Sequence, residues 1–258
     1  MFKSLNAGHL TKFNSTASMN LLGLYNSFVE EDIQEKNNRP SHKTIAPSSL
    51  RCSRRTWFRL RGVESDKLSR VDPVLHFTTE IGSACHEIIQ NRLSLHLKDD
   101  WLDVGEYLET YVKNHEFTYT KNGYETQIAF HDIPIRFACD GVIRLDDKLY
   151  LLEIKSSEFS SWQDLSDCKE EHRQQALCYA MLLGLQNILF MYIDRQYGGI
   201  KCFEVIVKDY EAEDINNKFS YILKCVENNI APEPLPKGDK WCSPAMCPYY
   251  KKCGEYGR

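Results

Sequence analysis

The residues best suited to chemistry lie in 140–155, which read Asp140-Gly-Val-Ile-Arg-Leu-Asp-Asp-Lys-Leu-Tyr-Leu-Leu-Glu153-Ile154-Lys155. Two short apolar runs flank the polar stretch Asp146-Asp147-Lys148, which predicts a β-hairpin. A turn centred on Asp146-Asp147 sets Leu145 opposite Lys148 and, counting outward, Asp140 opposite Glu153. Asp-Asp lacks the glycine that two-residue hairpins favour, and a longer loop would shift this register. Side chains alternate along a strand, so Glu153 and Lys155 share one face and Ile154 points to the other. Asp140, Glu153 and Lys155 then converge on one patch.

Two carboxylates directly across a strand pair repel each other. A cation between them relieves the repulsion, and Mg²⁺ or Mn²⁺ prefers such oxygen ligands. The neighbouring lysine can hold a water or stabilise charge developing on a phosphate. Without the ion, the pair disfavours double ionisation and one carboxylate pKa rises. A solvated polar face with a chance Glu–Lys pair would show the same triplet, so the triplet alone does not assign a function.

The second chemical cluster closes the chain. Cys242-Ser-Pro-Ala-Met-Cys247-Pro-Tyr-Tyr-Lys-Lys-Cys253 places three cysteines within twelve residues. A tail this short buries little core and gains stability from a metal or cluster. A Cys₄ site needs one more ligand. Cys52, on an arginine-rich helix, is the best-placed candidate. Cys85, Cys139, Cys168, Cys178, Cys202 and Cys225 lie in apolar or isolated contexts and read as small core residues.

The chain has 258 residues, 42% of them hydrophobic and 12% aromatic, enough for a sizeable core. The net charge of −4 is bland, but residues 41–70 carry eight Lys and Arg against Glu64 and Asp66. That segment is basic within an otherwise acidic chain, which suggests a directed anionic partner. A solvated helix face is the plainer reading. No secretory signal follows Met1, and the longest apolar region, residues 179–193, is too short and too interrupted to span a membrane. The expectation is a soluble intracellular, cytoplasmic protein (host cytoplasm if viral). Ten cysteines in a reducing compartment favour a metal or cluster over disulfides.

These residues need elements to carry them. Helices are expected over residues 50–61 with Ser48-Ser49 as cap, 78–97, 101–117, 165–183 and 210–228. Strands are expected over 124–130, 135–145, 148–156, 188–194 and 200–207. Residues 15–37 have weak helical periodicity and run into a linker at Glu35-Lys36-Asn37-Asn38-Arg39-Pro40. This order predicts an α/β domain with a mixed central sheet. Gly82 and His86 share a helix face, as do Gln175 and Tyr179. Gly82 would allow a close backbone approach and bring His86 near a sheet edge. Each of these pairs alone is more simply a packing feature.

Taken in order, Gly82-x-x-x-His86, Asp140, Glu153-Ile154-Lys155, Gln175-x-x-x-Tyr179 and the one-plus-three cysteines resemble the RecB-type branch of the PD-(D/E)XK nuclease superfamily. More narrowly they are similar to its iron–sulfur members, which include CRISPR-associated adaptation nucleases and related viral exonucleases. The resemblance covers roughly residues 48–253. It implies a restriction-endonuclease-like core over 47–258 with a mixed sheet flanked by helices, closed by a cysteine cluster module, behind a partly helical or flexible extension over 1–46. It implies that His86, Asp140, Glu153 and the Ile154 carbonyl bind Mg²⁺ or Mn²⁺, and that Lys155 positions or activates the attacking water. Gln175 and Tyr179 would support the site and contact DNA. Cys52, Cys242, Cys247 and Cys253 would ligate a [4Fe–4S] cluster. Cys139 stands where the family's name has proline, and four residues separate Cys242 from Cys247 where many members have two. A Cys₄ zinc site tolerates that spacing too.

The resulting expectation is a metal-dependent DNA exonuclease acting on ends or single strands in recombination, repair or replication. Arg51, Arg54, Arg55, Arg59 and Arg61 would track phosphates, and Trp57 and Phe58 would stack bases or pack in the core. The N-terminal extension is a possible protein-partner surface, and an oligomer is possible. Two rival readings are a CRISPR spacer-processing nuclease and a non-catalytic, zinc-stabilised DNA-binding module.

Overall fold

The structure is a computed structural model that describes residues 16–38, 42–66, 73–244 and 246–257. Residues 1–15, with Lys67 and Arg70 of the basic segment, lie outside the described residues. The chain divides into two compact units, residues 1–40 with 69–80 and residues 41–68 with 81–258. The sequence boundary drawn at 46/47 does not anticipate that residues 69–80 group with the N-terminal unit.

The first unit holds helix α1 (Thr16–Asn38) and the start of α3 (Pro73–Leu97). Helix α1 exposes Leu21, Leu22, Leu24, Tyr25 and Phe28. The second unit holds everything else, including α3 from Ile81 onward.

Two sheets build the second unit. Strands β2 (Phe117–Asn122), β3 (Glu125–Phe130) and β4 (Ile135–Cys139) form an antiparallel meander. The larger sheet runs in the order β1 (Trp101–Leu102), β5 (Gly141–Leu145), β6 (Lys148–Ser157), β7 (Asn187–Asp194) and β8 (Ile200–Ile206). Only β6 and β7 are parallel. The β6–β7 crossover contains α5 (Phe159–Gln163) and α6 (Glu170–Leu183), because parallel neighbours cannot be joined by a tight turn. Helices α2 (Ser53–Leu60), α4 (Val104–Tyr111), α7 (Asp209–Glu227) and α8 (Tyr250–Glu255) complete the unit. The mixed α/β architecture matches the expectation.

The β5–β6 hairpin has the expected register. Leu145 pairs with Lys148, and Gly141 with Leu152. Asp146 (φ 47°) and Asp147 (φ 62°) are both left-handed, the geometry that a two-residue turn matching strand twist requires. Aspartate tolerates that region better than most residues, so the turn closes without glycine.

Several boundaries differ. The expected strand over 135–145 is two strands in different sheets, and Asp140 is the residue between them. The expected helix over 101–117 begins only at Val104, where the Asp103 side chain accepts a hydrogen bond from Glu106 N. Phe117–Asn122 is strand β2, not the end of that helix. The expected helix over 165–183 begins only at Glu170, as α6, and the short helix α5 (Phe159–Gln163) before it was not expected. Cys52, not Ser48-Ser49, occupies the N-cap of α2.

The sheet is covered on both faces. Leu152 and Ile154 pack with Ile89 of α3, while the neighbouring residues face α6. A second cluster of Trp57, Phe58, Cys225, Tyr249 and Cys253 joins α2, α7 and the C-terminal tail.

Candidate active site

The site forms where the two sheets part. Asp140 ends one hairpin and begins the other, so its backbone belongs to neither ladder. It is held by specific hydrogen bonds instead. Gln90 Nε2 donates to the Asp140 carbonyl at 2.8 Å, and Ile154 N donates to Asp140 Oδ2 at 2.7 Å. Asp140 Oδ1 lies 3.2 Å from His86 Nδ1. His86 and Gln90 are four apart on α3 and share a face. Their helix comes close to β6 at Gly82, where a Cβ would sit 3.0 Å from Ser156 Oγ. The expected close approach was of a backbone; what lies close to Gly82 is the Ser156 side chain.

Glu153 and Lys155 project from β6 toward α6. Lys155 Nζ lies 2.5 Å from Glu153 Oε1 and donates to Gln175 Oε1 at 3.4 Å. Gln175 Nε2 in turn donates to Tyr179 Oη at 2.6 Å. Tyr179 is buried and stacks on Phe137, so it holds Gln175, and Gln175 holds Lys155. Glu153 is only 2% exposed and its Oε2 has no partner. A buried carboxylate oxygen left unpaired is costly, and a cation is one group that would satisfy it.

The electrostatics follow from burial. Glu153 is pushed up to about 7, first by burial, with Lys155 pulling it down and Asp140 pushing it further up. The expected rise in one carboxylate therefore occurs, but like-charge repulsion is the smaller cause. Burial alone would lower His86, yet its hydrogen bond to Asp140 and that carboxylate's charge leave the imidazole pKa raised. Burial would likewise lower Lys155, but Glu153 keeps it raised and cationic.

The residue that sequence reasoning missed is Glu125. Among the described residues, one ligand atom each from His86, Glu125 and Asp140 lies within 4.8 Å of the others. Glu153 is not in that group. The donor set, one imidazole and carboxylates, suits a divalent cation of the Mn²⁺ or Mg²⁺ type. The missed signal was the β3–β4 pairing, which has no tight-turn signature to fix its register. Gln90 was missed too, and nothing in a lone helical glutamine marks it.

The four cysteines expected as ligands share a cavity, but among the described residues no three of them bring their sulfurs within 4.8 Å of one another. Cys52, Cys242, Cys247 and Cys253 all line one cavity of about 320 Å³, together with Arg55, His172 and Gln175. Of the six cysteines expected in the core, Cys139, Cys178 and Cys225 are buried, Cys85 and Cys168 are half-buried, and Cys202 is exposed on the edge strand β8, which corrects the expectation for it. The tail is pinned by Arg54, which is 4% exposed. Its guanidinium donates to the carbonyls of Pro232 (2.5 Å), Tyr256 (3.4 Å) and Gly257 (3.0 Å), and to Cys253 Sγ at 3.7 Å.

Burial bears on the residues expected at DNA, and for Trp57 and Phe58 it favours the core-packing alternative. Arg54 is buried, and its Nε and Nη1 donate within the protein. Tyr179 is enclosed. Trp57 and Phe58 are buried in the α2–α7 cluster, so neither is a base-stacking platform. The arginine stripe is dispersed as well. Arg51 pairs with Asp239 at 2.9 Å, Arg59 donates to the His42 carbonyl, and Arg61 lies over the Trp57 ring.

No family model matches the sequence, and no curated protein matches it. Among solved structures, that of SSO0001 superposes with a TM-score of 0.46 at 15% identity, covering 89% of this chain and 96% of that one. An alkaline exonuclease, LHK-Exo, from Laribacter hongkongensis gives 0.41 at 15% identity, covering 76% of this chain and 93% of that one. The structure of LHK-Exo in complex with dAMP gives 0.38 at 16% identity. At these scores the likenesses carry no argument about what this chain does.

Proposed function

We propose that the chain is a divalent-metal-dependent nuclease that hydrolyses phosphodiester bonds, with DNA as substrate and ends or single strands as its point of attack. The observation that carries this reading is the buried, half-satisfied Glu153 set between a cationic lysine and the His86–Asp140 pair. A structural ion pair would satisfy both partners, and this arrangement leaves an oxygen waiting for a ligand.

His86, Asp140 and Glu153 would hold Mg²⁺ or Mn²⁺, with the Ile154 carbonyl alongside. Such an ion supplies Lewis-acid polarisation of a phosphoryl oxygen and a water of lowered pKa. Ile154 N–H orients the Asp140 carboxylate, and Gln90 fixes its backbone. Lys155, fixed by Gln175, places positive charge where the attacked phosphate becomes more negative. Enclosure by α3 and α6 keeps competing water away from these charges.

We also propose that Cys52, Cys242, Cys247 and Cys253 hold a [4Fe–4S] cluster that fastens the tail to α2. That all four thiols line one cavity supports a shared ligand group. Zinc is the alternative, and metal analysis of purified protein separates the two. Recombination, repair or replication, and CRISPR spacer processing, are both settings such a nuclease would suit.

The test is degradation of linear single-stranded DNA labelled at either end, with Mn²⁺ or with chelator. Metal-dependent loss of label supports the reading and gives the polarity. Bound but uncut DNA in every metal points instead to a binding module.

A further inference from the structure

Asp140 has a carboxylate neighbour on both sides. In the β5–β6 ladder Gly141 pairs with Leu152, so one step further sets Glu153 opposite Asp140. In the β3–β4 ladder Thr126 pairs with Cys139, and one step further sets Glu125 opposite Asp140. The hinge between the two sheets thus gathers three carboxylates, and His86 comes in from α3.

Glu125 is held there by its own hairpin. The two-residue turn Gly123-Tyr124 lies immediately before it, with Gly123 at φ +63°. Tyr124 Oη donates to Asn91 Oδ1 at 2.7 Å, which ties the turn to the helix that carries His86. No hydrogen bond or ion pair among the described residues engages the Glu125 carboxylate. Burial first, and Asp140 second, raise its pKa. A half-buried carboxylate beside that of Asp140, with no hydrogen bond or ion pair of its own, gains nothing for stability from its position.

We propose that Glu125 is a further metal ligand, completing with His86 and Asp140 one side of the catalytic cation site, while Glu153 approaches from the β6 side. The proposal rests on the metal-dependent reading above. Ligand atoms at about 2.2 Å from a common ion lie at most about 4.4 Å apart, so the observed group needs to close by only a few tenths of an ångström. Glu153 Oε1 is engaged by Lys155 and Asp140 Oδ2 by the Ile154 amide, which leaves few free oxygens. Glu125 supplies one. A site with an imidazole and three carboxylates favours Mn²⁺ over Mg²⁺, since imidazole suits later, softer divalent ions.

The experiment is Mn²⁺ binding to the full chain, followed by calorimetry and by water-proton relaxation, which counts waters on the bound ion. Glu125→Ala and Glu125→Gln are compared with wild type after circular dichroism shows that each is folded. The expected result is Mn²⁺ binding roughly tenfold or more weaker in both variants, at least the loss that removing a mere outer-shell partner causes, and about one extra water on the ion in Glu125→Ala. Should Glu125→Ala fail to fold, Glu125→Gln, which keeps the shape, decides. Wild-type affinity in folded Glu125→Gln overturns the proposal and leaves the metal-dependent reading intact. Weaker binding with an unchanged water count in Glu125→Ala also overturns it, because charge alone would then be the cause. No Mn²⁺ binding by wild type sinks the metal-dependent reading itself.

Discussion

Replacing Arg54 with methionine keeps most of the side-chain volume and removes every donor. Three tail carbonyls, those of Pro232, Tyr256 and Gly257, then lose their partner, as does Cys253 Sγ. A buried acceptor stripped of its donor costs about 1 kcal/mol or more, so three carbonyls give roughly 3 kcal/mol. The Tyr256 and Gly257 bonds are only partly buried, which makes 3 kcal/mol a central figure and not a floor. In a chain of this size that lowers the melting temperature by roughly 6–12 °C. Urea unfolding followed by tryptophan fluorescence measures it, because Trp57 packs in the same cluster. Arg55→Met is the companion variant, since Arg55 is half-buried and lines the cysteine cavity. It is expected to change stability by less than about 0.5 kcal/mol. An unchanged midpoint for Arg54→Met, combined with lost DNA affinity, would refute the reasoning and return Arg54 to a phosphate-contact role.

Three more predictions follow from the same geometry. Cys247→Ser should lower both the melting temperature and the bound metal, because one of four thiols around the cavity is lost; unchanged values of both would remove the case for a cluster staple. Gly82→Leu should weaken Mn²⁺ binding without unfolding the chain, since its side chain would push α3 off Ser156 and carry His86 with it, and calorimetry reads this. His172 is held down to about 4 by burial, aided by Lys155, against an ordinary value near 6.5. The unfolded chain binds that proton between pH 6.5 and 4 while the folded chain does not. This group's contribution is therefore complete above pH 6.5, falls by up to about 3 kcal/mol as pH drops to 4, and is constant below. His172→Phe should flatten the stability profile in that window; an identical slope in the variant would contradict the assignment.

The hairpin that carries Glu153 and Lys155 was legible because its two apolar runs and its polar turn leave few registers. Its turn residues looked wrong for the geometry, yet Asp146 and Asp147 both adopt it. Asp140 as a hinge was overlooked because residues 135–145 were read as one strand, although the Asp140-Gly141 dipeptide at its centre is a breaker signal. Glu125 stayed hidden because its place depends on a pairing across residues 131–134, a loop of ordinary composition. The arginines of α2 misled because charge count says nothing about direction. Arg54 and Trp57 face inward toward a tail that closes on them nearly two hundred residues later in the chain, and only the folded contact reveals it.

The central claim is that a metal held around Asp140 and a lysine held by Gln175 act on one phosphodiester. Single-turnover cleavage of end-labelled DNA by Lys155→Ala, with Mn²⁺ binding measured on the same preparation, tests it most directly. The account predicts a folded variant that still binds Mn²⁺ and DNA, with cleavage lost even at saturating Mn²⁺. Cleavage at the wild-type rate by Lys155→Ala would contradict it.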